Sequence, residues 1–169
     1  GIWNSKIKKL PFDKINKHQL LFVGHLLEKQ GVQRVLEAVP LIVKEIPDFK
    51  FLIIGGGVYQ DNLQKFAAAL DIRQYVVYRG WVKERNVLDS IMSQSALAIA
   101  PYRPEEEQRY NFTYYADPTK IKDYLAAGLP VILTDVPYNA KEIEKERCGI
   151  IVRYKKEDIA NAIIILLSR

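Results

Sequence analysis

Ala116-Asp117-Pro118-Thr119-Lys120-Ile121-Lys122-Asp123-Tyr124-Leu125-Ala126-Ala127-Gly128-Leu129-Pro130-Val131-Ile132 is the stretch on which the fold turns. Pro118 and Thr119 suit a helix entrance, Gly128 suits a helix stop, and Pro130 leads into a β-branched run that reads as a buried strand. A helix start exposes unpaired backbone N–H groups and the positive end of the dipole, and Lys120 adds an ammonium. That combination suits a phosphate. Asp123, one turn on, suits the hydroxyls of a ribose or sugar.

The same alternation of strand and helix extends in both directions. Leu20–Val23, Phe51–Ile54, Val76–Tyr78, Ala96–Ala100, Val131–Thr134 and Ile150–Val152 read as strands. Gly31–Ile46, Tyr59–Leu70, Val87–Ser93, Thr119–Ala127, Ala140–Glu146 and Lys156–Ser168 read as helices, with Pro40 expected to kink or weaken the first. Continuous Val/Ile/Leu strands between amphipathic helices predict a Rossmann-like, doubly wound parallel α/β sheet covered on both faces. Tyr102–Asp117 shows no period, and long irregular loops inside domains are usually functional or mobile.

The chain has 169 residues, 49% hydrophobic and 27% charged, which suits one soluble domain that needs no staple. One cysteine, Cys148, excludes an internal disulfide, and two histidines, His18 and His25, argue against a histidine metal site. No metal is expected. A reducing, cytoplasmic setting is the simplest reading. The net charge of +5 favours anionic partners, and Lys6, Lys8, Lys9, Lys14 and Lys17 contribute a basic cluster. Residues 1–18 read as a basic leader or interdomain linker, or as a surface that approaches anionic lipid at the inner face of a membrane. Residues 19–169 read as one binding domain. No apolar run reaches the ~18 residues of a membrane span. The abrupt opening at Gly1-Ile2-Trp3 reads as a cut from a longer protein.

In doubly wound sheets, ligands bind beyond the carboxyl ends of the strands. Gly24, Gly55–Gly57, Gly80, Pro101 and the Asp117–Lys120 segment all fall there. The loop from Gly24 to Gly31 can cradle a phosphate, with His25, Lys29 and Gln30 as side-chain donors, or its glycines can serve two tight turns. Gly55-Gly56-Gly57 lacks dinucleotide-fingerprint spacing and reads as a close approach to a ligand or a plain turn. Trp81 can stack on a base or pack, and Val82 can read a base edge through its backbone. No catalytic Ser/His/Asp or Cys/His set can be assembled from two early histidines.

Together, Val23-Gly24-His25…Gly31, Leu52-Ile53-Ile54-Gly55-Gly56-Gly57, Gly80-Trp81-Val82 and Asp123-Tyr124-Leu125-Ala126-Ala127-Gly128-Leu129-Pro130-Val131-Ile132 resemble the C-terminal, donor-binding domain of a family 4 (group 1) glycosyltransferase of the GT-B fold. The resemblance spans about Leu20 to Leu167. It implies transfer of a sugar from a nucleotide-diphosphate donor, UDP- or GDP-linked, to an acceptor held by a separate N-terminal domain. The donor is a substrate, so no cofactor is implied, and no nucleic acid. Metal independence and retention of the anomeric configuration come by the same analogy. The family's diphosphate-binding Arg and Lys fall on His25 and Gln30, with Lys29 adjacent. Of its two glutamates, the second falls on Asp123, implying ribose binding, and the first on Tyr115, which leaves Asp117 as the candidate for sugar contact. Pro118, Thr119 and Lys120 resemble a subgroup whose lysine faces the phosphates, and so imply a catalytic Lys120. A nucleotide-sugar-binding module without transfer activity, and half of a nucleotide-sugar epimerase, are the alternatives.

Overall fold

The computed structural model describes residues 15–104, 119–136, 140–146 and 148–168. The strands are β1 (Asn16–Val23), β2 (Lys50–Ile54), β3 (Val76–Gly80), β4 (Ser95–Ala100), β5 (Val131–Thr134) and β6 (Gly149–Val152). The helices are α1 (Val32–Glu45), α2 (Gln60–Ala69), α3 (Arg85–Gln94), α4 (Thr119–Ala126), α5 (Ala140–Lys145) and α6 (Lys156–Leu167). Six parallel strands form one sheet in the order β3-β2-β1-β4-β5-β6. The chain winds outward from β1 in one direction and from β4 in the other. The doubly wound expectation holds, and the switch point lies between β1 and β4.

The period-2 geometry of a strand divides the core into two. Leu20, Phe22, Phe51, Ile53, Leu97 and Ile99 face the layer of α1, α2 and α6. Leu21, Leu52, Ile54, Ala98, Ala100 and Val131 face the layer of α3, α4 and α5. Strands buried on both sides need apolar residues at nearly every position, and this is why β2, β4 and β5 read as apolar runs.

The structure departs from the sequence expectations at three places. β1 begins at Asn16 rather than at the expected Leu20, although Asn16 to Gln19 are all polar. Asn16 pairs with Ser95, and the ladder then shifts register before Leu20 meets Leu97. The strand therefore starts in a polar, irregular stretch with no apolar signature. Short 3-10 turns at Glu28–Gln30 and Arg73–Tyr75, each too brief to show a period, join the longer elements. Pro40 lies inside α1, which runs unbroken for 14 residues.

Candidate functional site at the strand ends

Backbone hydrogen bonds stitch the carboxyl ends of the strands together. The Gly24 N–H donates to the Ile54 carbonyl at 2.9 Å, and the Gly55 N–H donates to the Gly80 carbonyl at 2.9 Å. The Leu26 N–H donates to the Gly56 carbonyl at 3.0 Å, and the Arg103 N–H reaches the Lys29 carbonyl at 2.9 Å. Thr134 closes the far side, its hydroxyl donating to the Tyr102 carbonyl at 2.6 Å. The loops after β1, β2, β3 and β4 thus form one floor, as their positions in the sequence predict.

Lys120 is the centre of this floor. From the first turn of α4 its side chain passes over the end of the sheet, with its ammonium 4.5 Å from the Phe22 ring centre and 4.9 Å from that of Tyr102. It donates to Gln30 Oε1. Gly24 makes this crossing possible, since a β-carbon there would lie 2.7 Å from Lys120 Nζ and 3.3 Å from Phe22. The structure therefore brings together three residues that lie far apart in sequence: Gly24, Gln30 and Lys120.

The electrostatics follow from this enclosure. Around the ammonium stand two aromatic rings and one neutral amide, groups that offset little of its lost hydration. Desolvation lowers the Lys120 pKa from 10.5 to about 7. Burial pushes the Tyr102 and Tyr124 hydroxyls far above the usual phenol range. Tyr124 is fixed structurally, accepting the Val23 N–H at 2.8 Å beneath the Gly24 loop. An ammonium so enclosed gains most from an anion that replaces its water.

The other expected residues separate into two groups. His25 and Trp81 meet edge to face, 4.8 Å between ring centres, and Trp81 is 51% exposed. Its indole borders the Gly56 backbone, so it lies at the mouth of the crevice rather than in the core. Val82 packs partly against the α3–α5 side of the core. Lys29 follows Glu28, which pairs with Arg103. Gly31 takes a left-handed φ of 80° as it leads into α1, and its carbonyl accepts the Tyr154 hydroxyl at 3.2 Å. A β-carbon on Gly31 would collide with the Pro101 carbonyl, so both turn geometry and crowding call for glycine there. The two glycines serve the turn and the crevice at once.

Asp123 differs from a free ribose acceptor. Arg85 donates to both of its oxygens, at 3.0 and 3.3 Å. Arg85 also contacts Asp89 at 2.8 Å, so one guanidinium bridges two carboxylates. Sequence reasoning missed Arg85, and the signal available was the Arg85/Asp89 spacing of four at the start of a helix. Asp117, Pro118 and Tyr115 lie outside the described residues, and Thr119 is described only as the first residue of α4. Among the described residues no cluster of three or more His, Cys, Asp or Glu is placed to hold a metal. No described helix is long and apolar enough to cross a membrane.

The sheet order β3-β2-β1-β4-β5-β6 and the sequence both have counterparts among known proteins. The family model described as glycosyl transferases group 1 matches residues 17–169. The chain belongs to this family. An uncharacterized glycosyltransferase of Haemophilus influenzae is 23% identical over 167 residues, which cover 98% of this chain and 44% of the relative. The chain thus spans under half the length of that glycosyltransferase. The C-terminal domain of a group 1 glycosyl transferase (LpcC) from Francisella tularensis has the same fold at 14% identity. Its TM-score is 0.75, with 97% of this chain and 87% of that one covered. S. aureus TarM, solved with fondaparinux, alpha-GlcNAc-glycerol and UDP, matches at TM-score 0.78 and 18% identity, over 98% of this chain and 31% of its own. The fold of this glycosyltransferase chain is that of the C-terminal half of a GT-B architecture.

Proposed function

We propose that this domain binds a nucleotide-diphosphate sugar and serves as the donor half of a glycosyltransferase. The observation that carries this reading is the enclosed Lys120 ammonium against Gly24 and Gln30, at the strand ends where the switch point opens. Membership of the group 1 glycosyltransferases, and the UDP present with TarM, support the same reading. UDP- and GDP-sugars are the proposed donors.

The chemistry follows from charge. As the glycosidic bond breaks, negative charge grows on the distal phosphate, and Lys120 with the N–H groups at the α4 entrance receives it. Pro118 and Thr119 are assigned to phosphate contact. His25, Lys29 and Gln30 flank the diphosphate, Trp81 and Val82 border the base, Asp123 takes the ribose, and Asp117 contacts the sugar. We assign no divalent metal to the step, and we take the outcome to be retention. The acceptor belongs to an N-terminal domain of a longer protein. The basic residues before β1 favour an anionic, membrane-proximal acceptor on the cytoplasmic side.

Calorimetric titration with UDP, GDP, ADP and their sugar conjugates tests this directly. Saturable binding of a uridine or guanosine diphosphate that weakens in Lys120→Ala is the expected result. No heat with any nucleotide at millimolar concentration would overturn the donor-site reading. Binding unaffected by chelator is expected for a metal-independent site. A binding module without transfer activity would show the same titration and no turnover in the longer protein.

A further inference from the structure

We infer that Arg85 is a positioning residue for the nucleoside, acting through Asp123, an inference that rests on the donor-site reading above. Lys120 and Asp123 are three apart on α4 and so lie on one helix face, which sets the sites for phosphate and for ribose side by side. Arg85 comes from another helix, α3, shortly after the Gly80-Trp81-Val82 turn that borders the same crevice. Its terminal nitrogens donate to both Asp123 oxygens, at 3.3 and 3.0 Å, and its Nε forms an ion pair with Asp89 at 2.8 Å.

This bridge has a physical consequence for recognition. The terminal torsion of an aspartate is broad and nearly two-fold, so a free carboxylate samples many orientations. Two hydrogen bonds from a planar guanidinium fix that torsion. A carboxylate offers about four lone-pair sites, and the bidentate pair uses two of them. The remaining acceptor sites, one on each oxygen, are thereby held in fixed positions from which a ribose hydroxyl can be accepted. The Asp123 side chain is only 18% exposed while Arg85 is 52% exposed, so the arginine backs the carboxylate from the solvent side. Asp89 adds a second negative partner for the same guanidinium. Ordering the acceptor before binding removes a conformational cost that the nucleoside otherwise carries.

Positioning of this kind has a ligand-specific effect that a structural ion pair does not produce. The probes are UDP and GDP, each compared with its 2′,3′-dideoxy analogue, titrated into the wild-type chain and into Arg85→Met, Arg85→Lys and Asp123→Asn. For the wild type the ribonucleotide binds more tightly than the dideoxy form. In Arg85→Met the ribonucleotide weakens by about tenfold, the scale of a hydrogen bond to a charged group, while the dideoxy form is unchanged. Arg85→Lys falls between the two, since it keeps the charge and loses the fork. Arg85→Met combined with Asp123→Asn is no weaker than Asp123→Asn alone. Equal losses for both nucleotides, or ribonucleotide binding unaffected by Arg85→Met, would overturn the role of Arg85 and leave the donor site standing. A wild-type chain that binds neither nucleotide overturns both.

Discussion

Lys120 concentrates the conflict between stability and function at one residue. Its ammonium has exchanged water for two aromatic faces and one amide oxygen, and its pKa has fallen from 10.5 to about 7. A tenfold loss of proton affinity corresponds to about 1.36 kcal/mol, so the folded state bears a cost on the order of a few kcal/mol at neutral pH. The unfolded lysine binds its proton below about 10.5, whereas the folded one does so only below about 7. The cost is therefore fully present below pH 7 and disappears as the pH rises from about 7 to about 10.5. Lys120→Met, which substitutes an unbranched apolar side chain of similar bulk, is expected to raise the urea midpoint at pH 7. It should also flatten the rise in stability between about pH 7 and 9.5, as paired denaturation series would show. Nucleotide binding should run the opposite way. A diphosphate favours the charged lysine, so binding takes up a proton above about pH 7 and weakens toward about pH 9. Calorimetry in buffers of different ionisation enthalpy reads that proton directly, and equal heats in all buffers would exclude the coupling. Gly24→Ala tests the same contact from the other side. A β-carbon 2.7 Å from Lys120 Nζ displaces the ammonium, and a loss in nucleotide affinity of about tenfold or more is expected.

Among the elements, legibility in the sequence follows burial. β2, β4 and β5 are buried along nearly their whole length, so the amino-acid string carries them as apolar runs. β1 shows the limit of that signal, because its first residues pair with β4 through the backbone while their side chains stay polar and partly exposed. The Gly24, Gln30 and Lys120 grouping was visible as a set of strand-end loops, since the parallel topology places all such loops on one edge. The Arg85–Asp123 bridge was not. It joins residues 38 apart on two helices, and no local period encodes a contact of that kind. The enclosure of Lys120 was equally hidden, because it depends on Phe22 and Tyr102 arriving from the ends of two different strands. Pro40 is the element-level exception, a residue that reads as a break inside an unbroken helix. It lacks the N–H that would bond the Leu36 carbonyl, and Leu36 is fully buried. Pro40→Ala is expected to stabilise the domain by about 1–3 kcal/mol, measured as a shift in the denaturation midpoint. A destabilised variant would mean that the proline ring packs better than the restored hydrogen bond.

For the whole molecule, the proposed division between donor binding and acceptor binding sets what this chain is expected to do by itself. The chain spans 44% of the Haemophilus influenzae glycosyltransferase it resembles, while the proposed donor contacts are all residues of this chain. Binding and turnover should then separate. The isolated chain is expected to bind UDP or GDP yet transfer no sugar, because proximity between donor and acceptor is supplied only when a second body holds the acceptor. In a protein that includes the proposed acceptor domain, Lys120 is expected to act where charge develops, so its removal should reduce kcat more than it raises the acceptor KM. Lys120→Ala is expected to lower turnover by roughly 10²-fold or more, the scale of a lost charge-stabilising donor. Single-turnover assays with saturating donor isolate the chemical step from donor binding, so a loss that vanishes at saturation would assign Lys120 to binding alone. A loss that persists at saturation places the ammonium on the leaving phosphate in the transition state, the role that its position at the β1–β4 switch point supports.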